Sequence, residues 1–240
     1  MRVAALIPAY QAEAHLAGVL ERLRASVLQM GGLVEQQIFQ ALDALMHGNV
    51  QLAERVVADD ARVNALEVAI DQDCSQIIAR RQPAAGDLRL VMAIVKTITD
   101  LERIGDEADK IARMAKLIHT SDRLNIPRLN ELKYIGDTAL DMLRKSLDAF
   151  ARLDVHTAAQ VLRQDDQVDM SFQSIIRQLI TFMMEDPRTI STSIEILFAA
   201  KAAERIGDHA KNMAEHVIYL VKGTDVRHVS HEEVQRAMES

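Results

Sequence analysis

A chain of 240 residues with 49% hydrophobic, 26% charged and only 3% aromatic residues, and no tryptophan, has the composition of a helical protein with room for one large core or two smaller ones. Its formal net charge of -7 leaves no excess of lysine and arginine to neutralise nucleic-acid phosphates, which excludes nucleic acid as the expected partner and leaves cations compatible. One cysteine, Cys74, excludes an internal disulfide and is expected to pack in a reducing compartment.

From about His15 to His47 apolar residues recur at helical spacing through Leu16, Val19, Leu23, Val27, Met30, Val34, Ile38 and Leu45. Gly31-Gly32 in mid-run marks a bend or a close helix approach, and Gly48-Asn49 a stop. A second helix is expected from about Val50 to Arg81, its end carrying Arg80 and Arg81, read as a solvated basic terminus in preference to a contact for an acidic surface. A third runs from near Asp87, placed as N-cap, to His119, after a connection with Pro83 and Gly86. Near Thr120-Ser121-Asp122 the periodicity lapses. The count restarts with helices from about Pro127 to Leu153, His156 to Met184, and Asp186-Pro187 to Val221, with Gly223 closing the last. The polar remainder holds a possible short helix between His231 and Ser240. The expected architecture is all-α: two tandem, pseudo-symmetric three-helix bundles over residues 12–119 and 127–223, with a polar tail over 224–240. The opening residues are too short in their apolar part for a secretory signal, and no run reaches the length of a membrane span, so a cytoplasmic protein is expected.

Two copies of Glu-Arg-Ile-Gly-Asp, at Glu102–Asp106 and Glu204–Asp208, lie 204 − 102 = 102 residues apart. Each accepts two penalties inside a helix. Like charges four residues apart repel by a few tenths of a kcal/mol, and glycine costs about 0.5–1 kcal/mol relative to alanine. Accepting both at matching places favours a site. At about 100° per residue, Glu102, Asp106 and Asp109 flank the apolar stripe Leu101-Ile104-Ala108-Ile111; Glu204 and Asp208 repeat the pattern, with Lys211 where Asp109 stood. Upstream, Asp60-Ala61-Arg62-Val63-Asn64 resembles Asp165-Asp166-Gln167-Val168-Asp169, so each half offers acids from two helices. Oxygen-only donors suit hard or borderline cations, and glycine leaves room for an ion. The bland alternative is a solvated face in which Arg103 and Arg205 neutralise the acids locally. Tyr134-Ile135-Gly136-Asp137 repeats part of the motif with Lys133 in place of glutamate and reads as helix packing.

The eight histidines are scattered, His209 being the best placed for a metal, and neither glutamate of the pentapeptides has the histidine three residues on that a ferritin-like di-iron enzyme needs. No glycine-rich phosphate loop or nucleophile elbow is present, so no catalytic residue is expected. The eleven methionines default to core filling.

Met30-Gly31-Gly32-Leu33-Val34-Glu35, Arg81-Gln82-Pro83, Gly86-Asp87-Leu88-Arg89-Leu90-Val91, Asp100-Leu101 leading into the first pentapeptide with Glu107-Ala108, Glu185-Asp186-Pro187-Arg188-Thr189-Ile190, and the second pentapeptide with His209-Ala210 together resemble the PhoU family of phosphate-signalling regulators. The likeness covers about residues 15 to 223, in order. It implies a non-enzymatic negative regulator of phosphate uptake and of the starvation response, which couples the ATPase subunit of a phosphate ABC transporter to a sensor histidine kinase. It also implies a homodimer that meets the membrane only through these partners. Metal ions, of iron, zinc, manganese or magnesium, are implied on motifs of the form Glu/Asp-x-x-x-Asp. Those motifs fall on Glu102 and Asp106, with Asp109 beside them, on Glu204 and Asp208, and on Asp165 and Asp169. The match at Asp60 ends in Asn64 instead of an acid. With Lys211, this departure predicts that the two halves do not hold metal equally. Competing readings are a carboxylate-bridged metal oxidoreductase and a metal-free structural adaptor.

Overall fold

The computed structural model describes residues 3–120 and 130–227 and positions 229, 232, 233 and 236, with the side chains of 3–15 left aside. Among the described residues there are six α-helices and no strand: α1 (Val3–His47), α2 (Val50–Arg81), α3 (Ala85–Thr120), α4 (Asn130–Arg152), α5 (Val155–Glu185) and α6 (Ile190–Lys222). The expected start of the fourth helix at Pro127, the break after Thr120 and the short helix in 231–240 lie outside the described residues.

Local chemistry sets the ends. Asn49 caps α2 by accepting from the Leu52 amide at 3.0 Å, and Asp154 caps α5 by accepting from the amides of His156 and Thr157. Asp186 accepts from the Arg188 amide and opens a single 3-10 turn, Pro187–Thr189, so the α-helix proper begins three residues later than Pro187 suggested. Gly223 ends α6 in the left-handed conformation, φ 74°. Two expectations shift. α1 begins at Val3 instead of near His15, in keeping with the high helix propensity of the alanine-rich segment before His15. Asp87 is not the N-cap of α3: Ala85 takes a positive φ of 46°, and Asp87 already lies in the first turn, its amide donating to the Ala84 carbonyl.

α1, α2 and α3 pack on one another, as do α4, α5 and α6, while α3 lies along α6 and α1 touches α4, so that the buried apolar side chains of all six helices form one continuous core. Of the Gly31-Gly32 pair, Gly31 marks a close approach, since α1 runs on through it and a Cβ there would collide with Leu147 of α4, while a Cβ at Gly32 would meet open space; at Gly136 of α4 a Cβ would collide with Leu42 of α1. The α3–α6 seam is antiparallel, since Arg89 and Lys96 sit over the Tyr219 ring at one end and Glu107 meets Arg205 at the other. Met30, Met142 and Met213 fill the cores as expected, whereas Met92, Met170 and Met184 are exposed. Cys74 is buried, and burial with the nearby charges of Asp71 and Asp73 pushes its thiol up to about 12, so it packs and does not react.

Candidate metal centre

The apolar stripe of α3, Leu101, Ile104, Ala108, Ile111 and Ala112, is fully buried, which turns Glu102, Asp106 and Asp109 to the margin where α2 packs. Asp60 of α2 joins them. Burial, then the charge of Asp106, pushes its carboxyl above the usual range; burial and Asp106 do the same to Glu102, with Glu67 and Asp60 adding to it. These acids therefore form one patch across two helices. Asn64 Nδ2 donates to Asp60 Oδ2 at 3.1 Å, but four buried oxygens of the patch, Asp60 Oδ1, Asn64 Oδ1, Asp109 Oδ1 and Gln37 Oε1, make no hydrogen bond of ordinary geometry, and neither does Gln37 Nε2, although the Gln37 amide lies close enough to Asp60 to offset part of the rise at that carboxyl. Buried oxygens are seldom left unpaired. Gly105 forms the floor: a Cβ there would lie 3.3 Å from Gln37 Oε1 and 3.5 Å from both Asp60 Oδ1 and Val63 Cγ1.

The second patch is built alike and neutralised differently. Glu204 and Asp208 of α6 face Asp165 and Asp169 of α5, and Val168 packs on Gly207 as Val63 packs on Gly105, with Cγ1 3.3 Å from a would-be Cβ. Burial, then Glu204 and Asp165, pushes Asp208 up to about 6, although this side chain reaches solvent. Yet Lys201 Nζ donates to both oxygens of Glu204, at 2.6 and 2.5 Å, and Lys211 Nζ donates to Asp165 Oδ2 at 2.5 Å. Asp165 is buried and Asp169 exposed, with burial and Asp165 raising the latter's carboxyl. Neither Asp165 nor Glu204, the two buried acids of this patch, leaves an oxygen both buried and unpaired.

The local neutralisation weighed as the bland alternative is half present. Arg103 lies 3.5 Å from Glu102 and 4.0 Å from Asp106, and Arg113 holds one oxygen of Asp109 at 2.6 Å, leaving the other unpaired. Arg205 instead crosses to the buried Glu107 of α3 at 3.2 Å. Among the described residues no three acidic, histidine or cysteine side chains already converge as a metal cage. What the first patch offers is a set of buried oxygen donors with unused lone pairs over a glycine floor. Such a donor set fits a hard divalent or trivalent cation and offers nothing to a thiophilic one.

His209 bonds Asp100 of α3 instead of joining the acids of either patch. Its Nδ1 lies 2.9 Å from Asp100 Oδ1, His216 Nε2 lies 3.0 Å from Asp100 Oδ2, and Asn212 donates to Asp100 Oδ1 at 3.2 Å. Burial opposes the charge on Asp100, but the hydrogen bonds from His209 and His216 outweigh it and hold that carboxyl below its usual range. This cluster forms one wall of a cleft of about 790 Å³ between α3 and α6, which Asp208 also borders. Sequence reasoning missed the cluster, as it missed Gln37, Glu67 and Lys201. Gln37 alone carried a signal, a polar residue three after Val34 in the core register of α1.

A family model described as the PhoU domain matches residues 27–115 and again 132–217. A protein from Burkholderia sp, named phosphate-specific transport system accessory protein PhoU homolog, is 50% identical over 216 residues, 90% of this chain and 92% of that protein. The phosphate-specific transport system accessory protein PhoU of Escherichia coli (strain K12) is 48% identical over 219 residues, 91% and 90% of the two chains. Among solved structures, PhoU from Pseudomonas aeruginosa superposes with a TM-score of 0.84 at 47% identity, covering 87% of this chain and 99% of that one. The phosphate transport system regulatory protein PhoU from Streptococcus pneumoniae superposes with a TM-score of 0.82 at 28% identity, covering 88% and 99%.

Proposed function

Because this chain belongs to the PhoU family, with the PhoU domain matched in both halves, we propose that it is a non-enzymatic accessory protein of a phosphate-specific transporter that restrains phosphate uptake. The finer reading is that it works in the cytoplasm as a homodimer. There it joins the transporter's ATPase subunit to a sensor histidine kinase, keeping the starvation response off when phosphate is plentiful. In keeping with a role at the membrane through partners only, no helix among the described residues is long and apolar enough to cross a bilayer.

Metal ions, iron, zinc, manganese or magnesium, complete this reading. Asp60, Glu102, Asp106 and Asp109, helped by the amide oxygens of Asn64 and Gln37, would hold an ion in the first patch, and Asp165, Asp169, Glu204 and Asp208 in the second. The observation that carries it is the set of buried, unpaired oxygens beside Gly105. A bound cation would supply the positive charge that these mutually repelling carboxylates lack. The test replaces Glu102, Asp106, Glu204 and Asp208 with the corresponding amides and measures metal per chain in the purified proteins. Metal content is expected to fall, most from Glu102 and Asp106; unchanged stoichiometry in a folded variant refutes the assignment. For the pathway, deleting the gene is expected to leave phosphate-starvation genes expressed in high phosphate, and normal repression counts against regulation.

A further inference from the structure

At the far end of the first bundle a groove of about 360 Å³ lies between α1 and α2, away from both acidic patches. Its apolar floor is Val19, Leu23 and Ile77, and Arg22, Arg80 and Arg81 stand round it. In this acidic chain the cations are mostly tied to carboxylates, as Arg24 is to Glu21, Arg113 to Asp109, Arg144 to Glu35 and Lys211 to Asp165. Among the described residues, none of the three groove arginines has a carboxylate within 4.0 Å in an ion pair. One acid, Asp73, also lines the groove, so three positive charges meet one negative charge in a protein whose net charge is -7.

A helix C-terminus accounts for Arg80 and Arg81, which offset the negative end of the α2 dipole. It does not account for Arg22, which comes from a different helix and converges on the same space. Ser26 adds little, because its hydroxyl already donates to the Arg22 carbonyl at 3.1 Å. The groove's donors are therefore guanidinium forks, whose planar paired N–H groups match phosphate oxygens. Its apolar floor suits the organic body of a phosphate ester, and its volume lies at the small end of the range for ligand pockets.

The geometry points to the groove bounded by Arg22, Arg80 and Arg81 as a binding site for a phosphate-bearing small molecule, of the class of inorganic phosphate or a nucleotide. This site stands on α1 and α2 and does not depend on a metal at the acidic patches. Binding is measured by calorimetry on the full chain, stripped of metal and kept in magnesium-free buffer with chelator, using ATP, inorganic phosphate and an oligoglutamate peptide as probes. ATP is expected to bind one per chain, with an affinity that falls as salt rises. Competition by inorganic phosphate assigns recognition to the phosphate group alone; its absence assigns it to the whole nucleotide. The triple variant Arg22→Gln, Arg80→Gln, Arg81→Gln alters exposed side chains only and is expected to keep its helicity while binding at least about tenfold more weakly. Arg152→Gln, which removes an exposed arginine of α4 outside the groove, is expected to bind as the parent does. Equal binding by parent and triple variant, no binding of ATP or phosphate, or binding of oligoglutamate in their place overturns the assignment.

Discussion

Asp100→Asn is the most informative single change at the seam between the bundles. The parent carboxylate is 8% exposed and takes hydrogen bonds from His209, His216 and Asn212 of α6, so α3 and α6 share one buried anion. A hydrogen bond to a charged group contributes about 1.5–3 kcal/mol net. Asparagine keeps one acceptor oxygen and replaces the other with a donor, so one imidazole loses its partner and the other loses the charge assistance. The expected cost is about 2–4 kcal/mol, near the lower part of the range for breaking a buried charged pair. The assay is urea denaturation at pH 7 followed by helical circular dichroism, for Asp100→Asn, His216→Ala and the double variant. The double variant is expected to fall short of the sum of the single variants by about 1–2 kcal/mol, as for residues in one hydrogen-bonded network. Because the folded state depresses the Asp100 pKa, this contribution is present above the unfolded value and is lost as pH falls through the folded one, in the acid limb below about 4. A cost under about 0.5 kcal/mol, or strict additivity, refutes the shared anion as a stabilising link.

Two further outcomes follow from the same contacts. Burial, then the charges of Glu204 and Asp165, pushes Asp208 up to about 6 from the ordinary 3.8, so the folded chain binds this proton more tightly. Its stabilising effect is full below about pH 4 and is lost as pH rises through about 6; Asp208→Asn is therefore expected to raise the melting temperature of chelated protein at pH 7.5 and to change it little at pH 4, and no gain at pH 7.5 contradicts the repulsion. Gly136→Ala puts a Cβ 2.8 Å from Leu42 Cδ1, where overpacking of about 1–3 kcal/mol exceeds the helix-propensity gain of up to about 1 kcal/mol, while Gly105→Ala meets nothing nearer than 3.3 Å. Denaturation midpoints are expected to show Gly136→Ala as the more damaging by about 1–2 kcal/mol; the reverse order excludes this packing role.

The helices were legible because each rests on near-neighbour chemistry. Capping at Asp186, the αL glycine at 223 and the 3.6-residue stripe of α3 are all written in consecutive residues. The acids of the candidate site were legible for a related reason, since a penalty repeated 102 residues apart stands out without a structure. What escaped depends on long-range register. Nothing in the spacing of Asp100 and His216 says that an antiparallel α3–α6 seam sets them 3.0 Å apart. The partner of Arg205 escaped in the same way: its nearest acid in sequence is Glu204, but the seam brings it to Glu107. Arg22 was likewise unremarkable, and Arg80 and Arg81 read only as a helix end, until the packing of α1 on α2 put all three round one groove.

The two copies of the pentapeptide have diverged in how their charge is balanced. In the second patch Lys201 and Lys211 give Glu204 and Asp165 short intramolecular partners, so an arriving cation must displace an ammonium from each and leave that ammonium to find water. In the first patch Arg113 occupies only one oxygen of Asp109, Arg103 stands 3.5 Å or more from Glu102 and Asp106, and the oxygens nearest Gly105 are buried without any partner. A cation entering there displaces less and relieves more, since it satisfies oxygens that otherwise carry an unmet desolvation cost. Asn64, which lacks the charge of its counterpart Asp169, lowers the repulsion without removing a donor oxygen. On these grounds a cation is expected to be held more tightly by the first patch than by the second, although both carry the same pentapeptide, and metal titration of a Glu102→Gln, Asp106→Asn variant against a Glu204→Gln, Asp208→Asn variant measures the difference.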